Sequence, residues 1–109
     1  MTARVLGELE TVVLWSVVDL GEEAYGAAIR REVSRRMARD YSVGAVYATL
    51  QRLEDRAFLH STESDPLPIR GGRARRYFRP TASGRAILRR SVEARVKVWH
   101  GLDVAPERG

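Results

Sequence analysis

Apolar side chains recur at intervals of three and four in four stretches of this chain, and each stretch predicts a helix. In the first, residues 6–20, Leu6, Leu9, Val13, Val17 and Leu20 share one side while Leu14, Trp15 and Val18 occupy others. A helix apolar nearly all round must be covered on more than one face. The chain has few elements to do so, which predicts a partner subunit over the outer face carrying Leu6, Leu9 and Val13; the simpler alternative is the central rod of a monomer. Gly21 suits the left-handed turn that ends a helix. Glu22 and Glu23 then precede a second helix over residues 24–39, with Tyr25, Ala28, Ile29, Val33 and Met37 on its apolar stripe. Gly26 is placed to let another helix come close.

A short connection through Asp40 and Tyr41 reaches Ser42, whose hydroxyl suits an N-cap, and a third helix follows over residues 42–56 with Val46, Leu50 and Leu53 on its core stripe. Two helices so closely joined read as a helix-turn-helix. Ala57 stands at the exit, where glycine would be the easier residue for a left-handed turn. The pattern then changes. Residues 58–64 and 74–79 favour strands, and Pro66, Pro68, Gly71 and Gly72 between them mark a turn-rich loop, so the pair forms a β-hairpin, or wing. Tyr77 and Phe78 point to opposite faces of the second strand, and at least one must pack on the core. Beyond Pro80, Thr81 can cap a long last helix. Its stripe of Leu88, Val92, Val96 and Trp99 is of the kind that pairs helices, and nothing in the chain obviously covers its far end. That stripe, with Leu6, Leu9 and Val13, is the expected homodimer interface.

The expected fold class is therefore α+β, mainly α: a winged helix-turn-helix over residues 1–80, with a dimerisation helix and frayed tail over 81–109, the whole forming one compact unit.

The outer face of the third helix is where chemistry enters. Ser42 and Val43 open it, and Gly44, Ala48, Gln51, Arg52 and Asp55 line it, with Tyr47 on its flank. Solvated helix faces normally carry Lys and Glu; this one has almost no bulk in its first two turns, and Gly44 costs about 1 kcal/mol relative to alanine. A DNA groove explains the economy. Glutamine can pair with adenine, small side chains tolerate a thymine methyl, and Tyr47 and Arg52 can reach phosphates. A second packing partner within the chain is the alternative for this segment alone. The wing adds Arg70, Arg73, Arg75, Arg76 and Arg79 around Gly71 and Gly72 with no acid among them. Arginines on such a loop suit phosphates or a minor groove, though charge also defends an edge strand from aggregation. The arginines of the second helix, Arg30, Arg31, Arg35, Arg36 and Arg39, could reach phosphates, although a charge-rich solvated face is the commoner explanation for most of them.

Charge supports the same partner. The chain has 109 residues and a formal net charge of +5, which favours an anion such as nucleic acid. Without cysteine there is no disulfide framework or thiolate site, and the cytoplasm is the expected location. The longest apolar run, residues 12–18, is far short of the ~20 needed to span a bilayer, so no membrane association is expected. His60 and His100 lie in no spacing that suggests a triad or a metal site, and the Gly71-Gly72 pair is not a strand-to-helix phosphate loop. No enzyme activity, cofactor or metal is expected. The rival to duplex DNA is a winged-helix module that binds protein or RNA, but a protein interface would want larger apolar anchors than Gly44, Ala48 and Gln51.

These blocks, in this order, resemble the PadR family of bacterial transcriptional regulators. The resemblance rests on L-G-E-L-E from Leu6, A-Y-G-A-A-I from Ala24, S-V-G-A-V-Y-A-T-L-Q-R-L-E-D-R from Ser42, G-G-R-A-R-R-Y-F-R from Gly71 and T-A-S-G from Thr81. It implies a homodimeric repressor on a palindromic operator, with the third helix in the major groove, the wing beside it and the last helix pairing subunits. The single short C-terminal helix is similar to the compact branch of the family, in some members of which aromatic residues at the dimer centre sandwich flat hydrophobic drugs. That resemblance makes Trp15 and Trp99 the candidates for a small hydrophobic effector. Ala57 departs from the family, which usually has glycine there.

Overall fold

The computed structural model describes residues 5–65 and 74–101. Glu10 starts the first helix by accepting a hydrogen bond from the Gly7 amide at 3.3 Å, and α1 runs Glu8–Leu20. Gly21 ends it with a φ of +58°, and a single 3₁₀ turn, Gly21–Glu23, leads to α2, Gly26–Met37. α3, Val43–Asp55, opens as its sequence predicts: the Ser42 hydroxyl accepts a hydrogen bond from the Ala45 amide at 3.1 Å. β1, Leu59–Glu63, and β2, Arg76–Pro80, pair antiparallel, with Leu59 opposite Pro80 and Glu63 opposite Arg76. α4, Ala82–Gly101, follows, its first turn capped by the Thr81 hydroxyl, which accepts from the Gly84 amide at 2.9 Å. Helix, helix, helix, hairpin and long helix make this a winged helix-turn-helix.

α1 is the rod around which the rest is laid, packing against α2, α3, α4 and β2. This corrects one expectation. Leu6 and Val13 are 1% and 0% exposed within the protomer, so neither offers surface to a partner, and Leu9 is half-buried against the same core. The helix is apolar nearly all round because its own chain surrounds it. Leu6 is also tied by its backbone: its amide donates to the Ser91 hydroxyl at 2.9 Å, and the Arg95 guanidinium donates to its carbonyl at 3.0 Å. The N-terminal end of α1 is thereby stitched to α4.

Val46, Leu50 and Leu53 of α3 close the core from below, together with Ile29 and Val33 of α2 and Leu59, Phe78 and Ile87. Phe78 is the wing residue that faces the core; Tyr77 lies half-buried on the opposite side of β2, its ring edge-on to Tyr25 with centroids 5.7 Å apart. The Phe78 amide donates to the Ala24 carbonyl at 2.9 Å, which fixes the wing base to the start of α2. Leu88 is half-buried against the core, whereas Val92, Val96 and Trp99 stand exposed along α4. Among the described residues, no helix is long and apolar enough to cross a membrane.

Candidate nucleic-acid interface

One helix carries two faces of opposite character. On its inner side Val46, Leu50 and Leu53 are completely buried, which anchors α3 against rotation. On its outer side Ser42, Val43, Gly44, Ala48, Gln51 and Arg52 are exposed, and a Cβ added to Gly44 would meet no atom within 4 Å. Gly44 and Ala48 are therefore not packing positions; the alternative of a second partner within the chain does not hold.

Tyr47 sits between this face and the wing. Its ring packs edge-on to Phe78 at 6.2 Å, and its hydroxyl lies where a Cβ on Gly26 would approach to 2.2 Å. Only glycine at position 26 leaves room for it. The close approach expected at Gly26 is real, and its partner is a tyrosine of the third helix. Arg52 reaches back toward α1: its Nε stands 3.6 Å from Glu10 Oε2, and its Nη2 donates to the Thr49 hydroxyl at 3.2 Å. Arg56 shares the same carboxylate at 3.7 Å. Glu10 thus restrains both cations beside the reading face.

The wing base brings further groups in. The Arg75 guanidinium lies 4.0 Å above the Tyr25 ring, and the neighbouring Tyr77 side chain raises its pKa above the ordinary value. Arg76 is committed elsewhere, donating to the Ser61 hydroxyl at 2.9 Å beside Glu54, so it braces the wing against α3. Arg70, Gly71, Gly72 and Arg73 lie outside the described residues.

A cleft of about 250 Å3 lies between these parts, lined by Tyr25, Gly26, Ala27, Tyr47, Ala74, Arg75 and Arg76. α2 begins there with no side-chain cap and no acid in its first turn. Tyr25, expected on the apolar stripe of the second helix, is instead the residue before that helix, and with Ala27 it lines the cleft.

The sequence model of the transcriptional regulator PadR-like family matches residues 14–90. The chain belongs to that family. Transcriptional regulator Rv3488 of Mycobacterium tuberculosis is 42% identical over 74 residues, which span 65% of this chain and 64% of that protein. A PadR family transcriptional regulator from Eggerthella lenta is similar in structure, with a TM-score of 0.61 and 28% identity over 83% of this chain and 75% of that one. A transcriptional regulator from Clostridium thermocellum shares the fold, with a TM-score of 0.71 and 18% identity over 91% of this chain and 90% of that one. A PadR-like chain is a transcriptional regulator rather than an enzyme, and its winged helix is the DNA-binding part.

Of the residues singled out for partner subunit and effector in this PadR-like chain, the protomer leaves Val92, Val96 and Trp99 at 40%, 48% and 71% exposure, and Trp15 at 44%. A cleft of about 450 Å3 near the end of α4 is lined by Val5, Glu8, Ala94, Arg95, Val98 and Trp99. Trp15 is not among them. Its indole lies under the Arg36 guanidinium, 3.9 Å from the ring centroid, so the protomer does not bring the two tryptophans together.

Proposed function

We infer that the protein acts as a homodimeric repressor that binds a palindromic duplex operator, one α3 entering the major groove of each half-site. The observation that carries this reading is the bareness of the outer face of α3, where Gly44 is open to solvent and Ala48 and Gln51 stand beside it while the inner stripe is wholly buried. A helix so anchored and so thin can sit deep in a groove 12 Å wide in typical B-form DNA, about the breadth of a helix with its side chains. In this reading Gln51 contacts a base, and Val43, Gly44 and Ala48 meet base edges and thymine methyls. Ser42, Tyr47 and Arg52 grip the backbone at the groove's edge. Arg75 does so from the wing base, and Arg70, Gly71, Gly72 and Arg73 extend the contact from the wing loop. The cleft between Tyr25, Tyr47 and Arg75 adds the start of α2 to the phosphate contacts.

The second subunit covers the exposed stripe of Val92, Val96 and Trp99, with Leu88 at its inner edge. A small hydrophobic effector, if one is bound, sits at that junction near Trp99, and Trp15 joins it only if the partner brings it there. A polarisation titration with the duplex upstream of the protein's own gene tests the reading. Tight binding at a twofold-symmetric site, falling steeply as salt rises, is the expected result; equal affinity for random duplex at every salt concentration sinks it.

A further inference from the structure

An acid stands on the reading face of α3. Asp55 projects from the same side of the helix as Gly44, Ala48 and Gln51, near its C-terminal end, and it is exposed. A carboxylate that faces phosphates weakens attraction to any duplex, so its presence there asks for a compensating role. A hydrogen bond to its carboxylate supplies a candidate: Gln51 Nε2 donates to Asp55 Oδ1 at 2.9 Å, one turn along the helix.

The chemistry of that bond has a consequence for base recognition. An ionised carboxylate only accepts, so the amide nitrogen of Gln51, not its oxygen, must face Asp55. One of the two amide hydrogens is then taken. What remains for a base is Oε1 and one N–H, an acceptor beside a donor. Adenine presents the complement in the major groove, the N6 donor and the N7 acceptor. Guanine presents two acceptors, N7 and O6, and would need both amide hydrogens. A glutamine with nothing holding it can rotate to offer both. We propose that Asp55 is a specificity-determining positioning residue, which withholds one amide hydrogen of Gln51 and so biases the helix toward adenine and against guanine. The proposal rests on the groove reading of α3.

The test compares the parent dimer with Asp55→Ala, Asp55→Glu and Gln51→Ala on the operator and on duplexes carrying guanine for adenine at each position of the half-site. Asp55 is exposed, so the variants should keep the parent's circular dichroism and melting curve. In the parent, one adenine per half-site should be preferred, and Gln51→Ala should abolish that preference. Asp55→Ala should bind random duplex more tightly and narrow the adenine-over-guanine ratio at that one position by roughly two- to tenfold, while Asp55→Glu, which restores an acceptor one turn away, should keep it. If Asp55→Ala strengthens binding to every duplex equally and leaves the ratio unmoved, the acid acts only by its charge and the proposal falls while the groove reading stands. If Gln51→Ala leaves every base preference intact, the reading of Gln51 as the base contact falls, and the proposal with it.

Discussion

Ala57 holds a left-handed backbone, with φ at 64°, immediately after α3. A side chain in that region strains against its own backbone, and glycine escapes the strain. The conformation cannot relax, because it is fixed from both sides. The Phe58 amide donates to the Leu53 carbonyl at 2.9 Å, and the Ala57 carbonyl accepts from the Thr81 and Ser83 hydroxyls at 2.6 and 3.0 Å. Ala57→Gly should therefore stabilise the fold by about 0.5–1 kcal/mol, the relief of strain outweighing the entropy gained by the unfolded chain. A rise in the urea midpoint at unchanged slope checks it; a fall shows that the turn is not strained. This position was legible because it follows a helix whose end the apolar stripe marked. Ala38, at φ 53°, was not legible, since nothing in the run Met37, Ala38, Arg39 signals a left-handed residue. There the demand comes from the α2–α3 connection, in which the Ala38 amide donates to the Arg35 carbonyl at 3.3 Å and the Arg39 amide to that of Ser34 at 3.1 Å.

Between elements, the junction of α1 and α2 is held by charge as well as by packing. Glu32 accepts hydrogen bonds from Arg35 and from Arg36, the latter at 2.7 Å from its Nε, and Arg36 also reaches Asp19 on α1 and covers Trp15. The hydrogen bond from Arg35, then that from Arg36, holds the Glu32 carboxyl down from its ordinary 4.5 to about 2. A carboxyl whose pKa is lower in the folded chain stabilises the fold above the unfolded value and loses that contribution as pH falls through the folded one. Glu32→Gln should accordingly cost on the order of 0.5 kcal/mol near neutral pH, since Arg35, the larger cause of the shift, is well exposed and its pairing is screened by solvent. The difference from the parent should shrink as pH is lowered from 4.5 toward 2. Urea midpoints of the two proteins across that range decide it, and a gap that stays constant with pH rules out the ion pair as its source. Sequence periodicity placed all four helices and both strands within a residue or two. It favours a solvated face for most arginines of α2 without distinguishing among them, yet the Arg36 side chain is only 12% exposed. Glu32 was visible four residues away, but Asp19 and Trp15 belong to another helix, and spacing within one segment carries no information about contacts between segments.

At the scale of the molecule the same limit decided which surface is left for a partner. A helical stripe shows that a face is covered, not by what, so α1 and α4 looked alike as dimerisation surfaces. Folding spends most of α1 inside the protomer. On α4, Val92 and Val96 remain exposed, with Val98 and Trp99 beyond them at 62% and 71%. The wing loop at residues 66–73 keeps its sequence-based assignment alone. If α4 carries the dimer, a charge at its middle should separate the subunits without unfolding either one. Val96→Glu suits this, because Val96 is 48% exposed and a glutamate there meets solvent in the lone protomer. Light scattering should report the mass of one chain, with circular dichroism unchanged. Operator affinity should fall roughly a hundredfold or more, since two half-sites are no longer engaged together. The slope of log affinity against log salt should also drop to about half, because a single subunit displaces half the counterions. That slope separates two failures that affinity alone would confuse: a lone subunit seated normally on its half-site gives half the parent's slope, whereas a dimer with a damaged reading head keeps the full dependence. A variant that stays dimeric moves the subunit contact away from α4, and with it the spacing of the two recognition helices on which symmetric binding depends.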